Sequence, residues 1–420
     1  MGTWITEALW KESKHQTENQ YKWYALGSIL FALSTLIITI IVTRVTDEST
    51  GGMFSIGLSL AQWMSTIAYF EIRTFQVTDV KREYKLYQYV GMRVLTCIIA
   101  FGTSIVIIAF SGYTILKAQI VGLLCFYKIF EGISDVYEGE YQRNNRIDIS
   151  GKSIFFRTLI CTVVLILGIL ITKNIIWSLI VMDILEIVVI YYLDIVPTRR
   201  LNKKRIGFER NSLLQLVSSC IPLATCNFLN TYLINSSKFS VDRVFGDEMQ
   251  IYYSAVFMPN FVINLFCGII LRPIETKLAI YYVERKKRNL ITMVSKLCGF
   301  IMIFTLVCII GAYLIGIPVL SLLYGIDLSE YRLVLVILLL AGGINAVSVI
   351  FYYVITIMRK QRYMFVIYAV TTLFSIALLD TCVETKGLMG AAAGYCAVLM
   401  FLCILLFLLI IYKKRDATQI

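Results

Sequence analysis

Twelve apolar runs, each long enough or nearly so to cross ~30 Å of hydrocarbon at ~20 residues per span, constrain this chain more than any other feature. Hydrocarbon offers the backbone no hydrogen bonds, so repeated runs of this length can be accommodated only as helices. The clearest are Tyr24 to Val42, Met53 to Phe70, Val94 to Phe110, Ser212 to Ser237, Met249 to Leu271, Leu297 to Leu323, Leu333 to Met358 and Gly387 to Tyr412. Four are interrupted by charge or are short: Ile115 to Tyr137, Ser153 to Thr172, Asn174 to Val196 and Tyr363 to Cys382. Basic residues test the count. With the N-terminus cytoplasmic, 31 of the 39 lysines and arginines fall in inside segments and seven in outside ones, leaving only Lys128 within a span. That alternation predicts twelve spans with both termini cytoplasmic. At 58% hydrophobic and 16% charged residues, the chain has no room for a soluble domain. Residues 1–22 are polar with no small-residue cleavage site, so the first span is expected to be retained.

The longest purely basic connector, TRRLNKKRIGFER from Thr198 to Arg210, follows Pro197 and separates six runs from six. It divides the chain into a tail (1–22), an N-lobe (23–197), a cytoplasmic interlobe linker (198–211), a C-lobe (212–412) and a final tail (413–420). An internal echo supports the division. Arg44, Asp47-Glu48 and Phe54-Ser55 follow the first span, and Arg243, Asp247-Glu248 and Tyr253-Ser254 follow the seventh. Six spans per half is an even number, so the copies share one orientation, as in a parallel pseudo-repeat. The predicted fold is an all-α polytopic membrane protein of two six-helix lobes.

Charge inside the spans marks candidate function. Lys128, Glu131, Asp135 and Glu138 follow at steps of three, four and three, so a helix puts them on one face. A charge at mid-bilayer costs ~2.5 to 3.5 kcal/mol on insertion scales, which turns such a face inward. Glu186 lies at a depth like that of Lys128, so the two could pair. Asp183 shares the face of Glu186 one turn away, and Arg157 reaches the level of Glu131 and Asp135. More acids than bases at this depth favour a protonated carboxyl or a bound cation. A purely structural ion-pair network competes with an ion-coupling or gating site at Glu131, Asp135, Asp183 and Glu186. At the cytoplasmic ends of the second and eighth spans stand Glu71 with Arg73, and Arg272 with Glu275 across Pro273. Two guanidiniums facing one cleft would clamp an anion through paired phosphate oxygens, whereas the positive-inside rule alone would also place arginines there. Pro222, Pro259, Pro318 and Gly342-Gly343 are potential flexing points in the C-terminal half.

Several functions are excluded or disfavoured. His15 in the N-terminal tail is the only histidine, so a His-based metal site or a Ser-His-Asp triad within the membrane is ruled out. Cysteines within apolar runs, without paired spacing, read as small hydrophobes. The net charge of +12 is spread over every cytoplasmic loop and reflects topology, so nucleic acid is not a partner. A membrane polymerase or O-acetyltransferase would need a large external loop or an intramembrane histidine.

Glu131-Gly-Ile-Ser-Asp135-Val-Tyr, with Gln142-Arg143, Arg146-Ile-Asp148 and Gly151-Lys-Ser153 to Arg157, resembles the fourth and fifth spans of bacterial Wzx-type polysaccharide flippases. These belong to the multidrug/oligosaccharidyl-lipid/polysaccharide exporter superfamily. Gly27, the turn from Asp242 to Ser254, Leu322 to Gly325 and GLMGAAAG from Gly387 to Gly394 extend the resemblance over almost the whole chain. It implies a twelve-helix, V-shaped, two-lobed transporter in the bacterial cytoplasmic membrane. Its substrate would be an undecaprenyl-diphosphate-linked oligosaccharide moved to the outer leaflet for capsule, O-antigen or exopolysaccharide synthesis. The diphosphate would be held by cations, here Arg73, Arg272, Lys128 and Arg157. No cofactor is implied beyond a coupling H+ or Na+; the partners are membrane lipid and the polysaccharide polymerase and glycosyltransferases of the pathway. The alternative is a cation-coupled multidrug antiporter of the same superfamily. Drug exporters often carry an acid in the first span, and this chain has none there.

Overall fold

In the computed structural model, the described residues are 6–7, 9–10, 16–79, 82–201, 210–260, single positions and short stretches between 263 and 282, 284–358 and 360–411. They form helices α1 (Gln16–Val45), α2 (Glu48–Tyr69), α3 (Leu86–Phe110), α4 (Ile115–Arg143), α5 (Ile147–Thr172) and α6 (Ile175–Ile190). There follow α7 (Arg210–Phe245), α8 (Asp247–Phe257), α9 (Lys287–Gly311) and α10 (Arg332–Ile357). The last run, Gln361–Ile411, is broken at Lys386 and at Gly387, whose φ of +59° suits a residue without Cβ, and so forms two helices, α11 and α12. The chain is thus an all-helical, multi-pass membrane protein, as the apolar runs predict. Seven helical stretches among the described residues meet length and hydropathy thresholds for crossing a membrane. Of the others, α4 carries the charge that lowers its hydropathy, and α6 and α8 are short, at 16 and 11 residues.

The chain packs as two units, Met1–Phe228 and Leu229–Ile420, with the division falling within α7. The first half of α7 joins the N-terminal unit, where Asn227 donates to Glu71 at 3.0 Å and Phe228 stacks on Trp63 at 5.0 Å. Asp47 caps α2 by accepting from the Thr50 amide at 3.0 Å, whereas α8 starts after Gly246 with no side-chain cap and with Asp247 in its first turn, so the two copies of the sequence echo open their helices differently.

Glycines bring the helices of the N-terminal unit close. A Cβ on Gly27 of α1 would lie 2.5 Å from the Gly151 carbonyl of α5, and one on Gly151 would lie 2.4 Å from the backbone of Trp23 and Tyr24. In the C-terminal unit Gly390 sits against the Cys382 carbonyl, closing the α11–α12 hairpin. Gly342 and Gly343 of α10 admit the side chains of Asn260 and Thr305. The eleven cysteines are all free.

Two helices loosen into π geometry, each immediately upstream of a proline. Tyr191–Ile195 precedes Val196-Pro197, and Ala312–Gly316 precedes Ile317-Pro318. A proline has no N–H to offer the carbonyl four residues back, so the preceding turn widens by one residue.

Candidate functional site

The charged face of α4 turns into the N-terminal unit, where five elements converge on it. The helix α2 ends at Phe70 and Glu71, both with positive φ, and a short helix, Ile72–Thr78, then carries Arg73 back across α4. Gly139 makes this crossing possible: a Cβ there would lie 2.6 Å from Oε1 of Gln76 and 3.2 Å from Cγ of Arg73. Arg73 donates through one guanidinium nitrogen to Asp135 at 3.0 Å and Glu138 at 2.9 Å, and through the other to Gln142 at 3.1 Å.

From α3, the fully buried Arg93 donates to the other oxygen of Asp135 at 2.6 Å and to the Ala68 carbonyl at 2.7 Å. From α5, Arg157 donates to Glu138 at 3.0 Å and to Ser134, and lies 3.4 Å from Asp194 and 3.9 Å from Glu131. Asp194 comes from the π stretch at the end of α6 and is fully buried, accepting from Ser153 at 2.6 Å and Ser134 at 2.8 Å. Its main-chain carbonyl accepts from Tyr141 at 2.9 Å and Thr198 at 3.0 Å, so the loosened turn keeps its partners. Lys128 bonds Glu131, one turn along α4, at 3.0 Å, with its ammonium 4.6 Å from the Phe31 ring.

Four cations thus meet four carboxylates, Glu131, Asp135, Glu138 and Asp194, in direct contact. Removing both charges of such a pair can be tolerated, whereas removing one strands the other in low dielectric. Two further carboxylates stand outside the pairing. Glu186 is 0% exposed and Asp183 is 5% exposed, and none of their four oxygens has a hydrogen-bond partner.

Most of the residues singled out from sequence therefore converge, with specific differences. Lys128 does not pair with Glu186, because Glu131 on its own helix lies closer. Arg157 engages Glu138 and Asp194 in addition to Glu131, and Asp135 turns to Arg73 and Arg93. Arg272 and its neighbours Pro273 and Glu275 lie outside the described residues. Arg93, counted with a loop, and Lys238, counted with an outside segment, are both inside helices, α3 and α7 respectively. Lys238 extends 4.4 Å from the Phe257 ring. Asp194 carried no signal beyond its position three residues before Pro197. The described residues hold no cluster of three or more potential metal ligands.

Residues 76–333 match the family described as "Polysaccharide biosynthesis protein". The chain belongs to that family. It is 22% identical over 326 residues to the capsular polysaccharide biosynthesis protein CapF of Staphylococcus aureus, covering 76% of this chain and 80% of CapF. Among solved structures it is similar to an inward-facing multidrug resistance MATE family transporter of the MOP superfamily, with TM-score 0.67 and 13% identity over 90% of this chain and 93% of that one. It is likewise similar to the lipid II flippase MurJ in an inward closed conformation, with TM-score 0.65 and 13% identity over 92% and 88% of the two chains. By family this is a polysaccharide biosynthesis protein, and by fold it shares the architecture of MOP-superfamily transporters.

Proposed function

We propose that the protein flips undecaprenyl-diphosphate-linked oligosaccharide repeat units from the inner to the outer leaflet of the bacterial cytoplasmic membrane. What carries the reading is a polysaccharide biosynthesis family member on a fold that it shares with a lipid II flippase. The product would feed capsule, O-antigen or exopolysaccharide assembly, alongside a polymerase and glycosyltransferases.

Within the cluster, Arg73 is the residue best suited to meet the diphosphate. Its side chain is 21% exposed, the most accessible of the four cations, and it can leave its partners without stranding them. Asp135 would keep Arg93, and Glu138 would keep Arg157. Arg73 can therefore exchange carboxylates for phosphate oxygens at low cost in buried charge. Lys128 and Arg157 hold the cluster's charge balance from deeper positions. Enclosed and partnerless, Glu186 beside Glu131 is the group suited to take a coupling H+ or Na+, and Asp135 gates by choosing between Arg73 and Arg93.

The test is the leaflet distribution of undecaprenyl-linked oligosaccharide in cells depleted of the protein. Accumulation on the cytoplasmic face with loss of surface glycan is expected, with rescue by the parent protein and not by Arg73→Ala at equal expression. An unchanged lipid pool with new sensitivity to cationic drugs would overturn the flippase reading in favour of a cation-coupled antiporter.

A further inference from the structure

Asp183 and Glu186 lie one turn apart on α6, yet their surroundings differ. Glu186 is enclosed. Asp183 lines a groove of about 510 Å³ between α3, α4 and α6, walled by Phe101, Ile105, Phe126, Ile180 and Ile184. Ile105 and Ile184 are among the exposed apolar side chains of their helices, so the groove opens on the surface that meets lipid. Its volume lies in the ~300 to 1,000 Å³ range of small-molecule sites. Opposite α6, Gly122 of α4 has open space where a Cβ would stand.

Asp183 is just over two turns into α6, about 12 Å from its Ile175 end at ~1.5 Å per residue. Its carboxyl is buried and both oxygens lack a hydrogen-bond partner. Ser104, also on the groove wall, already donates to the Phe101 carbonyl at 2.7 Å. Among the described residues, the groove has no ionisable lining residue other than Asp183. The titratable neighbours of Asp183 elsewhere are Glu186 on its own helix and Cys161 of α5, and neither supplies a positive charge. An unpaired carboxyl at this depth stays protonated when the groove is filled by hydrocarbon alone.

We propose that this groove is a lateral binding site for a lipophilic amine, reached from the membrane and separate from the charged cluster. Charge complementarity selects the occupant. An alkyl or prenyl chain fits the walls and leaves the carboxyl unpaired, and an anionic amphiphile brings a second negative group with no cation to balance it. A lipophilic amine crosses hydrocarbon as the neutral base and takes the proton of Asp183: the O–H bond breaks, an N–H bond forms, and an ammonium–carboxylate pair remains with no proton gained or lost overall. The apolar body then fills the groove against Phe101 and Phe126.

The experiment uses the full-length protein in zwitterionic nanodiscs and a diazirine-bearing N,N-dimethylalkylamine, with cross-links mapped by mass spectrometry. Saturable labelling of α3, α4 and α6 is expected, falling at least tenfold in Asp183→Asn. Gly122→Leu, which fills the groove and leaves the carboxyl in place, is expected to abolish it equally. An ether probe of the same shape should label without saturation. Undiminished labelling of either variant, or saturable labelling by the ether, overturns the proposal. If Asp183→Asn does not assemble, Gly122→Leu and the ether decide it. Because the readout is binding, its failure leaves the flippase reading untouched.

Discussion

The chain uses the same helix break twice and obtains opposite results. In Tyr191–Ile195 a π stretch ahead of Pro197 turns Asp194 into a fully buried position among Arg157, Ser134 and Ser153. In Ala312–Gly316, ahead of Pro318, the stretch carries no acidic or basic side chain charged at neutral pH, and none of its side chains is buried. The difference extends to the interiors. That of the N-terminal unit is organised by paired full charges. Among its described residues the C-terminal unit buries mainly neutral groups such as Asn235, Gln250, Asn260 and Asn345, with Asn345 donating to Asn264 at 3.0 Å and Asp242 its one buried carboxylate. A neutral amide that loses its partner costs ~1 to 3 kcal/mol, whereas a buried charge that loses its partner costs ~3 to 5 kcal/mol. The first unit therefore has one arrangement it can hardly leave, except at Arg73. The second can repack at modest expense.

The largest expected effect follows from breaking that pairing. Arg157→Met strands Glu138 and Asp194 and is expected to destabilise the protein by ~3 to 5 kcal/mol, read as a lowered unfolding midpoint in detergent. Adding Glu138→Gln and Asp194→Asn should recover much of the loss, since a fully neutral network is tolerated where a half-charged one is not. Failure of that recovery would mean that the arginine acts through packing instead of charge. Asn345→Ala, the matching cut in the second unit, should cost about 1 kcal/mol.

Next in size is the paired break itself. Pro197→Ala restores an N–H, tightens the turn and rotates Asp194 from its three partners. A loss of ~1 to 3 kcal/mol is expected, together with reduced export. Pro318→Ala restores the same N–H where no buried side chain depends on the loosened turn, and should change stability by under ~1 kcal/mol. Equal effects in thermal unfolding would show that the two π stretches are interchangeable and that Asp194 is not what the first one positions.

How much of this was legible in the sequence follows from the physics of each feature. Span number was readable because hydrocarbon thickness and loop charge act on whole segments. The inward charged face of α4 was readable because its spacing is local to one helix. Partner choice was not. Whether Lys128 meets Glu186 or Glu131 depends on how α4 and α6 cross, which spacing along a single helix does not carry. Arg93 falls one residue before the apolar run that starts at Val94, because a hydropathy boundary cannot distinguish the last loop residue from the first buried turn. Asp194 was invisible because a π turn reorients it, and only Pro197 hinted at an irregular register.

The smallest effect concerns the edge of the charged unit between α2 and α3, where the pairing logic continues beyond the spans. Asp79 follows the short helix that carries Arg73. Burial by itself would raise its carboxyl pKa. The backbone amides of Glu83 and Tyr84, the Tyr89 hydroxyl at 3.0 Å and Arg143 at 3.6 Å outweigh burial and hold it below its ordinary value. A depressed folded pKa contributes stability that is present above the unfolded value of ~3.9 and is lost as pH falls through the folded one. Amide protection of residues 82–89 should therefore persist at neutral pH and fade on acidification below about pH 4, with the spans unaffected. Asp79→Asn should lower that protection at neutral pH and remove the acid transition in hydrogen exchange. If the wild-type loop opened instead as pH rose, the sign would be wrong and the amides, not the carboxylate charge, would be what fastens Arg73's helix to the unit.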